Sequence, residues 1–176
     1  MLEESANRGG ADLRDLIEPV WTGTVAYRGL ISVGRLVGAN GEHRTIGTPM
    51  MYCGKGKAGL SHPCATGSVV NVVAFVSQLE KEGTPYGGPW VEDCSKQELL
   101  DCYAGWEPEV AELLEQIQEP TRWAIHHLRP LPMCVAGKVV LLGDAAHAMS
   151  PHQGAGAGQA IEVQATIERG SISTHR

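Results

Sequence analysis

Apolar positions in the first half of the chain follow the pattern of β-strands. From Val20 to Ile31, β-branched and aromatic residues are frequent, and Thr48 to Cys53 is a shorter run of the same kind. The strongest strand signal is Val69 to Ser77, because valine and phenylalanine cluster there without glycine or proline. No helical pattern separates these runs, so they predict an antiparallel sheet rather than repeated β-α-β units.

Helical patterns follow the predicted sheet. Ser95 and Glu98 have the spacing of a capping box, in which the serine side chain binds a free amide and the glutamate reaches back, so a helix is predicted near residues 95–104. Pro108 opens a second helix, predicted to reach residue 119. Its apolar residues repeat at helical spacing and should face the core: Val110, Leu113, Leu114 and Ile117.

From Lys138 onward the pattern changes again. The continuous apolar run Val139 to Leu142 is typical of a strand that is buried on both faces. Asp144 follows at its carboxyl end, and a loop rich in glycine and alanine then leads to a helix predicted over residues 160–169, with Gly170 as its stop. This part of the sequence predicts strand, loop and helix in that order.

A strand, an acidic residue and a glycine-rich helix start can together hold a ligand. Small residues let a ligand approach the backbone closely, and a helix N-terminus carries free amides and about half a positive charge. Such a terminus can hold a pyrophosphate or the pyrimidine edge of a reduced flavin. The same glycines would also serve the packing of a tight strand-to-helix turn, so the pattern alone leaves both interpretations open.

The complete run from Gly143 to Gln159, GDAAHAMSPHQGAGAGQ, resembles the second flavin-binding motif of class A FAD-dependent monooxygenases, the aromatic hydroxylases of the salicylate hydroxylase type. Residues 22–30 and 69–76 resemble strands of the substrate domain in that family. Trp123 to Ile125 precede the flavin motif in the expected order, and the resemblance covers most of residues 20–165.

The resemblance implies an α+β fold with two main parts. Residues 20–135 would form a mainly antiparallel, substrate-binding sheet domain, and residues 136–170 the flavin-contacting strand-loop-helix piece of a Rossmann-like FAD-binding domain. Residues 1–19 would be a remnant or linker, and residues 171–176 a divergent tail.

The family's dinucleotide-binding start, a β-α-β unit with G-x-G-x-x-G, is not recognised before residue 20. The literal match from Gly54 to Gly59 has no helix after it and is expected to be a turn. The chain is therefore expected to be a partial one, with weak FAD affinity and no hydroxylation of phenols when it acts alone.

The resemblance also implies which residues meet FAD. Asp144 would hydrogen-bond the ribityl chain, and Pro151 would lie against the isoalloxazine ring. The pyrimidine end of the ring would meet the backbone amides of three small residues, Gly154, Gly156 and Ala157.

For catalysis, the resemblance implies a small aromatic substrate, NADH or NADPH as electron donor, and oxygen activation by the reduced flavin. His152 would act as an acid, a base or an orienting group near the reacting edge. Tyr27 and Arg28 would face the flavin or the substrate from the sheet.

Composition excludes several other functions. With 20 acidic and 14 basic residues the net charge is −6, so electrostatic attraction to nucleic acid or to an anionic membrane is not expected. The longest strongly apolar run, Val69 to Val76, is too short to span a bilayer, and the acidic N-terminus does not resemble a signal peptide. A cytoplasmic protein without a membrane segment is predicted.

Cysteines and histidines give no metal signal. The five cysteines are odd in number and contain no C-x-x-C pair, so reduced and mostly buried thiols are expected. His126 and His127 lack a third ligand at metal spacing, and no metal site is predicted. His147 is expected to be a histidine with satisfied hydrogen bonds.

Two other functions remain open at this point. The chain could be a non-catalytic remnant whose sheet serves as a binding surface or forms a homodimer, which the missing dinucleotide motif favours. It could also be a related flavoprotein that acts on a lipid or polyketide, such as an epoxidase or reductase. The sequence Pro151-His152-Gln153 favours small aromatic substrates over that last alternative.

Overall fold

A computed structural model describes residues 16–38, 41–64, 67–152 and 154–173. They divide into two compact units, one formed by residues 23–125 and the other by the described residues outside that range. The first is called the sheet unit and the second the C-terminal unit.

A six-stranded sheet is the main element of the fold. The strands of the first two thirds of the chain are β1 (Val20–Ser32), β2 (Val37–Gly38), β3 (Gly41–Glu42), β4 (Met50–Gly54), β5 (Lys57–Pro63), β6 (Val69–Ser77), β7 (Val91–Asp93) and β8 (Thr121–His127). The large sheet has the order β4-β5-β6-β1-β8-β7, while β2 and β3 form a separate pair. The pairs β4–β5, β5–β6, β1–β6 and β7–β8 are antiparallel, so the predicted sheet and the α+β class are confirmed.

Two helices supply the other half of the core of the sheet unit. Helix α1 (Lys96–Cys102) and helix α2 (Pro108–Glu115) contribute buried side chains to one cluster with the sheet. The apolar residues predicted for the second helix are buried, but the helix ends at Glu115 and not at residue 119, so Ile117 lies just beyond it. The segment after α2 approaches the sheet so closely at Gly29 that an added Cβ would lie 2.4 Å from Ile117 Cγ2. Only glycine fits at this position without a shift of Ile117.

The predicted capping box is half correct. The Ser95 hydroxyl accepts a hydrogen bond from the Glu98 amide at 3.1 Å, as expected for an N-cap. The Glu98 carboxylate, however, accepts from the Tyr27 hydroxyl and from Arg122. The bond from Glu98 back to the start of the helix, which a capping box predicts, is thus replaced by contacts with Tyr27 and Arg122, and both of these reach the same carboxylate oxygen.

The run from Gly54 to Gly59 is the turn that the sequence predicts. Strand β4 ends at Gly54 and β5 begins at Lys57, so the glycines belong to a hairpin. No helix opens there, and this segment is not a dinucleotide-binding loop.

The C-terminal unit contains a small hairpin formed by β9 (Val135–Ala136) and β10 (Val139–Val140). The prediction of a buried strand from Val139 to Leu142 was wrong. The strand covers two residues, Val139 is 51% exposed and Leu142 is 42% exposed. Among the described residues β10 pairs with β9 alone, so no flanking strand on its other side buries the apolar run.

Two helices complete the C-terminal unit, α3 (Asp144–His147) and α4 (Ala155–Ser173). The final helix was predicted over residues 160–169 with Gly170 as its stop, but it begins five residues earlier and continues through Gly170. A glycine inside a helix costs about 1 kcal/mol relative to alanine, which weakens a helix without ending it. None of the described helices is long and apolar enough to cross a membrane.

The cysteines are all free thiols, but they are less buried than expected. Cys53 and Cys134 are exposed, and the other three are half-buried. Cys53 lies on β4, which is an edge strand of the sheet. A residue on an edge strand has a neighbouring strand on one side only, so it is covered less than a residue on a central strand.

Candidate functional site

The candidate site is formed by consecutive residues of the C-terminal unit, starting at Gly143. This glycine has a φ of 57°, a conformation that other residues rarely adopt, and its carbonyl accepts from the amides of Ala146 and His147 at 3.0 Å each. The resulting sharp turn starts helix α3 at Asp144, whose side chain is exposed. The sequence around Gly143 thus holds the Asp144 carboxylate at the surface of the unit.

A tight turn separates the two helices of this unit. The Leu128 amide donates to the Ala148 carbonyl at 2.8 Å, which fixes the beginning of the turn. Further along, the His152 amide donates to Ser150 and the Ala155 amide donates to the His152 carbonyl. Pro151 and His152 are both exposed on this turn. Gln153 lies outside the described residues.

Small residues surround the start of helix α4. A Cβ added to Gly158 would meet no atom within 4 Å, and one added to Gly156 would lie 3.9 Å from Met149 Cγ. Gly154 and Ala157 are exposed as well. The first amides of a helix have no partner within it, so a flat ligand could approach the backbone of this turn without displacing a side chain.

Two cavities adjoin the site residues within the C-terminal unit. One, of about 390 Å³, is lined mostly by apolar side chains, and Asp144 is the single charged residue of its lining. The other, of about 660 Å³, is lined by His147, Ser150, His152 and Ala155, among others. Asp144, which is predicted to bind the ribityl chain, and His152, the predicted acid–base residue, therefore line different cavities of the same unit.

His147 does not have the satisfied hydrogen bonds that the sequence analysis expects. Both of its ring nitrogens are buried and have no hydrogen-bond partner among the described residues. Burying an unpaired polar group costs about 1–3 kcal/mol. The expectation failed because the turn that follows α3 brings no acceptor or donor to the ring.

Tyr27 and Arg28 lie in the sheet unit, and their side chains point to opposite faces of β1 because successive residues of a strand alternate. Tyr27 is 4% exposed, and its hydroxyl donates to Glu98 at 2.8 Å. Burial and the neighbouring Cys102 and Glu98 raise the pKa of Tyr27. Arg28 is exposed, and its guanidinium carbon lies 4.9 Å from the centre of the Trp123 ring.

Sequence reasoning missed a polar cluster next to Tyr27. Arg122 donates to Glu98 at 2.8 Å and also pairs with Glu92. The hydrogen bond to Glu92 raises the pKa of Arg122 further. Glu98 and Glu92 lie 24 and 30 positions before Arg122, so no local pattern in the sequence indicated these pairs. Among the described residues, no three His, Cys, Asp or Glu side chains are grouped to hold a metal ion.

Comparison with known proteins identifies the class to which this arrangement corresponds. No family model matches the chain. Its curated relatives and its structural neighbours are FAD-dependent monooxygenases, and the resemblance seen in the sequence is thereby confirmed.

Within that class the chain is similar to salicylate hydroxylase. Two salicylate hydroxylases of Pseudomonas putida are 46% and 47% identical over 82% and 85% of the chain. A 6-methylsalicylate 1-monooxygenase of Aspergillus terreus is 39% identical over 82% of it. The chain spans about a third of the length of these relatives, namely 35%, 35% and 31%.

Solved structures give the same result for the fold. A salicylate hydroxylase in complex with its substrate has a TM-score of 0.76 and 42% identity, covering 83% of this chain and 37% of that one. Klebsiella pneumoniae HpxO, complexed with FAD and uric acid, has a TM-score of 0.62 and 28% identity, covering 82% and 34%.

Proposed function

We propose that the chain is the substrate-sheet and flavin-contacting part of an FAD-dependent monooxygenase that hydroxylates a small phenolic acid. NADH or NADPH would be the electron donor and O₂ the oxidant. The observation that carries the proposal is the turn from Gly143 to Gly158, which combines an exposed carboxylate with an uncovered, glycine-rich helix start. The 46–47% identity to salicylate hydroxylases supports the choice of a phenolic acid.

The residues of this turn fit the ring half of FAD. Asp144 would accept hydrogen bonds from the ribityl hydroxyls, and Pro151 would lie against the ring. Backbone amides of Gly154, Gly156 and Ala157 would face its pyrimidine edge, where the helix terminus favours negative charge. Bound FAD would supply the transfer of electrons from the nicotinamide to oxygen.

The protein's own contribution would be to orient the phenol and to manage its proton. His152 is exposed on the turn between α3 and α4. Its imidazole could take the proton of a phenolic hydroxyl and make the ring more electron-rich, since histidine is the most frequent acid–base group in enzymes. Excluding water from this turn would strengthen each of these interactions.

The cellular setting is also part of the proposal. We infer action in the cytoplasm on a small-molecule substrate, independent of nucleic acid and of membranes. A homodimer remains a prediction, which analytical ultracentrifugation of the purified chain tests directly.

The test is FAD binding, measured from the visible spectrum and from quenching of flavin fluorescence. Asp144→Ala should lower the affinity by the value of a charge-assisted hydrogen bond, about 1.5–3 kcal/mol. Asp101→Ala is the matched control, because Asp101 is an exposed acid on α1 of the sheet unit. Equal FAD affinity in the Asp144→Ala variant and the unmodified protein would mean that the turn has been misinterpreted.

A further inference from the structure

Strand β4 is one of the two edges of the large sheet. Among the described residues it pairs with β5 alone, and no other backbone hydrogen bond reaches it. Its hairpin loop is so short that the closing pair, Gly54 and Lys57, must be hydrogen-bonded. Bonded and non-bonded pairs alternate along an antiparallel ladder, so every second residue counted back from Gly54 bonds to β5. The N–H and C=O groups of Met51 and Cys53 therefore point away from the sheet.

The side chains of β4 leave this edge open and uncharged. Tyr52 is buried against the helices, whereas Met51 is 67% exposed and Cys53 is exposed as well. Natural edge strands are usually protected against pairing by charged side chains, by proline or by being very short. Strand β4 has five residues, and none of them is charged or a proline. Its edge can therefore accept another strand.

The opposite edge, β7, is protected in these ways. It has three residues, and two of them, Glu92 and Asp93, are acidic. Pairing of β7 with a second copy would bring like charges together, which destabilises cross-strand contacts. The two edges of one sheet thus differ in charge, and only the β4 edge is compatible with a copy of itself.

The outward groups of β4 are also complementary to those of a second β4. Met51 and Cys53 are the neighbours of Tyr52 on either side, and Tyr52 is the middle residue of the strand. A two-fold axis beside Tyr52 would place Met51 opposite Cys53 of the second copy, with all five residues of both strands overlapping. Each such pair is hydrogen-bonded in both directions, so the contact would contain about four backbone hydrogen bonds.

We propose that two copies of this chain associate by antiparallel pairing of their β4 strands, which joins the two six-stranded sheets into one. The interface is self-complementary, as a two-fold dimer requires. Each chain has a net charge of −6, and β4 itself is uncharged, so added salt should strengthen the dimer by screening the repulsion between the chains. The proposal is independent of flavin binding, because β4 contains none of the residues predicted to meet FAD.

Sedimentation velocity of the 176-residue chain over a wide range of protein concentrations tests the association without FAD or substrate. We expect a reversible equilibrium of monomer and dimer. Met51→Pro removes an N–H group that points away from β5, so the sheet keeps its own bonds. The dimer loses one hydrogen bond from each copy and should dissociate at least about tenfold more readily.

Leu79→Pro is the matched control. Leu79 is 68% exposed, close to the value for Met51, and it is the first residue of a short 3₁₀ helix, where proline is tolerated. Among the described residues its backbone N–H donates no hydrogen bond, so this variant should dimerise like the original protein. The melting temperature of both variants checks that they are folded.

Disulfide trapping tests the register. The Cα atoms of Met51 and the opposite Cys53 should lie about 5.5 Å apart, which is a disulfide distance. Met51→Cys, combined with Cys134→Ser to remove the other exposed thiol, should therefore form a covalent dimer in oxidised glutathione. For each disulfide formed, the glutathione disulfide takes up two electrons and two protons and becomes two thiols. Leu79→Cys in the same background should stay monomeric on a non-reducing gel.

The native thiols make a further distinction. Cys53 and its own copy would be diagonal neighbours about 7–8 Å apart, too far for a disulfide, so Cys134→Ser alone should give no covalent dimer. A monomer at every concentration would overturn the proposal, as would a dimer that Met51→Pro leaves intact or that Leu79→Pro weakens equally. Covalent dimers that form as readily through Leu79→Cys would show random collision instead of pairing of β4. Trapping does not depend on the stability of the proline variant, so it decides the matter if Met51→Pro fails to fold.

Discussion

The sheet unit and the C-terminal unit differ most in what they do with their apolar side chains. In the sheet unit these side chains meet between sheet and helices, where Ile31, Leu99 and Ile117 are almost fully buried. Both units expose some apolar side chains, but among the described residues of the C-terminal unit Ala146 alone belongs to the buried hydrophobic set, while Val135 and Ile161 are exposed. The sheet unit is therefore held by a core, whereas the described part of the C-terminal unit is held mainly by local backbone hydrogen bonds.

This difference separates two ways of positioning functional groups. Arg28 owes its place to strand register and to the Trp123 ring, which are contacts between residues far apart in the sequence. Asp144 and His152 owe theirs to turns closed by bonds from residues two to four positions away. Mutations in the core of the sheet unit should thus disturb the placement of Arg28 first and leave the geometry of the candidate flavin turn less affected.

The largest effect should come from emptying the core of the sheet unit. Ile117 is 1% exposed, and Ile117→Ala should lower the free energy of unfolding by about 2–5 kcal/mol through lost burial and the cavity left behind. Ile161, in the C-terminal unit, is 71% exposed, and Ile161→Ala should change it by less than about 0.5 kcal/mol. Urea unfolding followed by tryptophan fluorescence measures both. Similar losses in the two variants would contradict the contrast between the units.

The sequence predicted the sheet unit well where local pattern and tertiary role agree. Val69–Ser77 is a strand with the predicted bounds, and Ser95 caps α1 as expected. Strand β5 was missed because Gly59 and Pro63 are poor strand formers, and the strand exists through its pairing with β4 and β6. Such pairing joins distant segments and leaves no trace in a local pattern.

The candidate site was predictable as a motif and less so as a structure. Asp144 and the glycines of α4 were found because their order resembles a known flavin motif. The burial of the Val139–Leu142 run was not predictable, since burial depends on which elements lie beside a strand. The resemblance gave Tyr27 and Arg28 one shared role, although alternation along β1 puts their side chains on opposite faces of the sheet. Their proposed roles toward a substrate must therefore be tested separately.

Tyr27→Phe should have the second-largest effect on stability. Loss of the 2.8 Å hydrogen bond to Glu98 should lower the free energy of unfolding by about 1.5–3 kcal/mol. Chemical denaturation measures this loss. Unchanged stability in Tyr27→Phe would show that the hydrogen bond to Glu98 makes no net contribution to the folded state.

The smallest effect at neutral pH is expected from Tyr52→Phe. The Tyr52 hydroxyl donates to Glu109 at 3.1 Å, a longer bond than that of Tyr27, and its loss should cost about 1 kcal/mol. Burial, followed by the charge of Glu109, raises the pKa of Tyr52 to about 12 from its ordinary value of 10.0. The folded state thus favours the protonated phenol, and this contribution is complete below pH 10 and is lost as the pH rises through about 12.

Removing the hydroxyl removes this dependence. The difference in unfolding free energy between the original protein and Tyr52→Phe should be constant below pH 10 and then shift in favour of the variant between pH 10 and about 12. Tyr27 and Tyr103, whose pKa values burial raises further, are present in both proteins and cancel in the difference. Urea unfolding at closely spaced alkaline pH values, with phenolate absorbance as a second signal, provides the measurement. A difference that stays constant through pH 12 would mean that Tyr52 ionises alike in the folded and unfolded chain, and that this edge of the core is as open to water as the C-terminal unit.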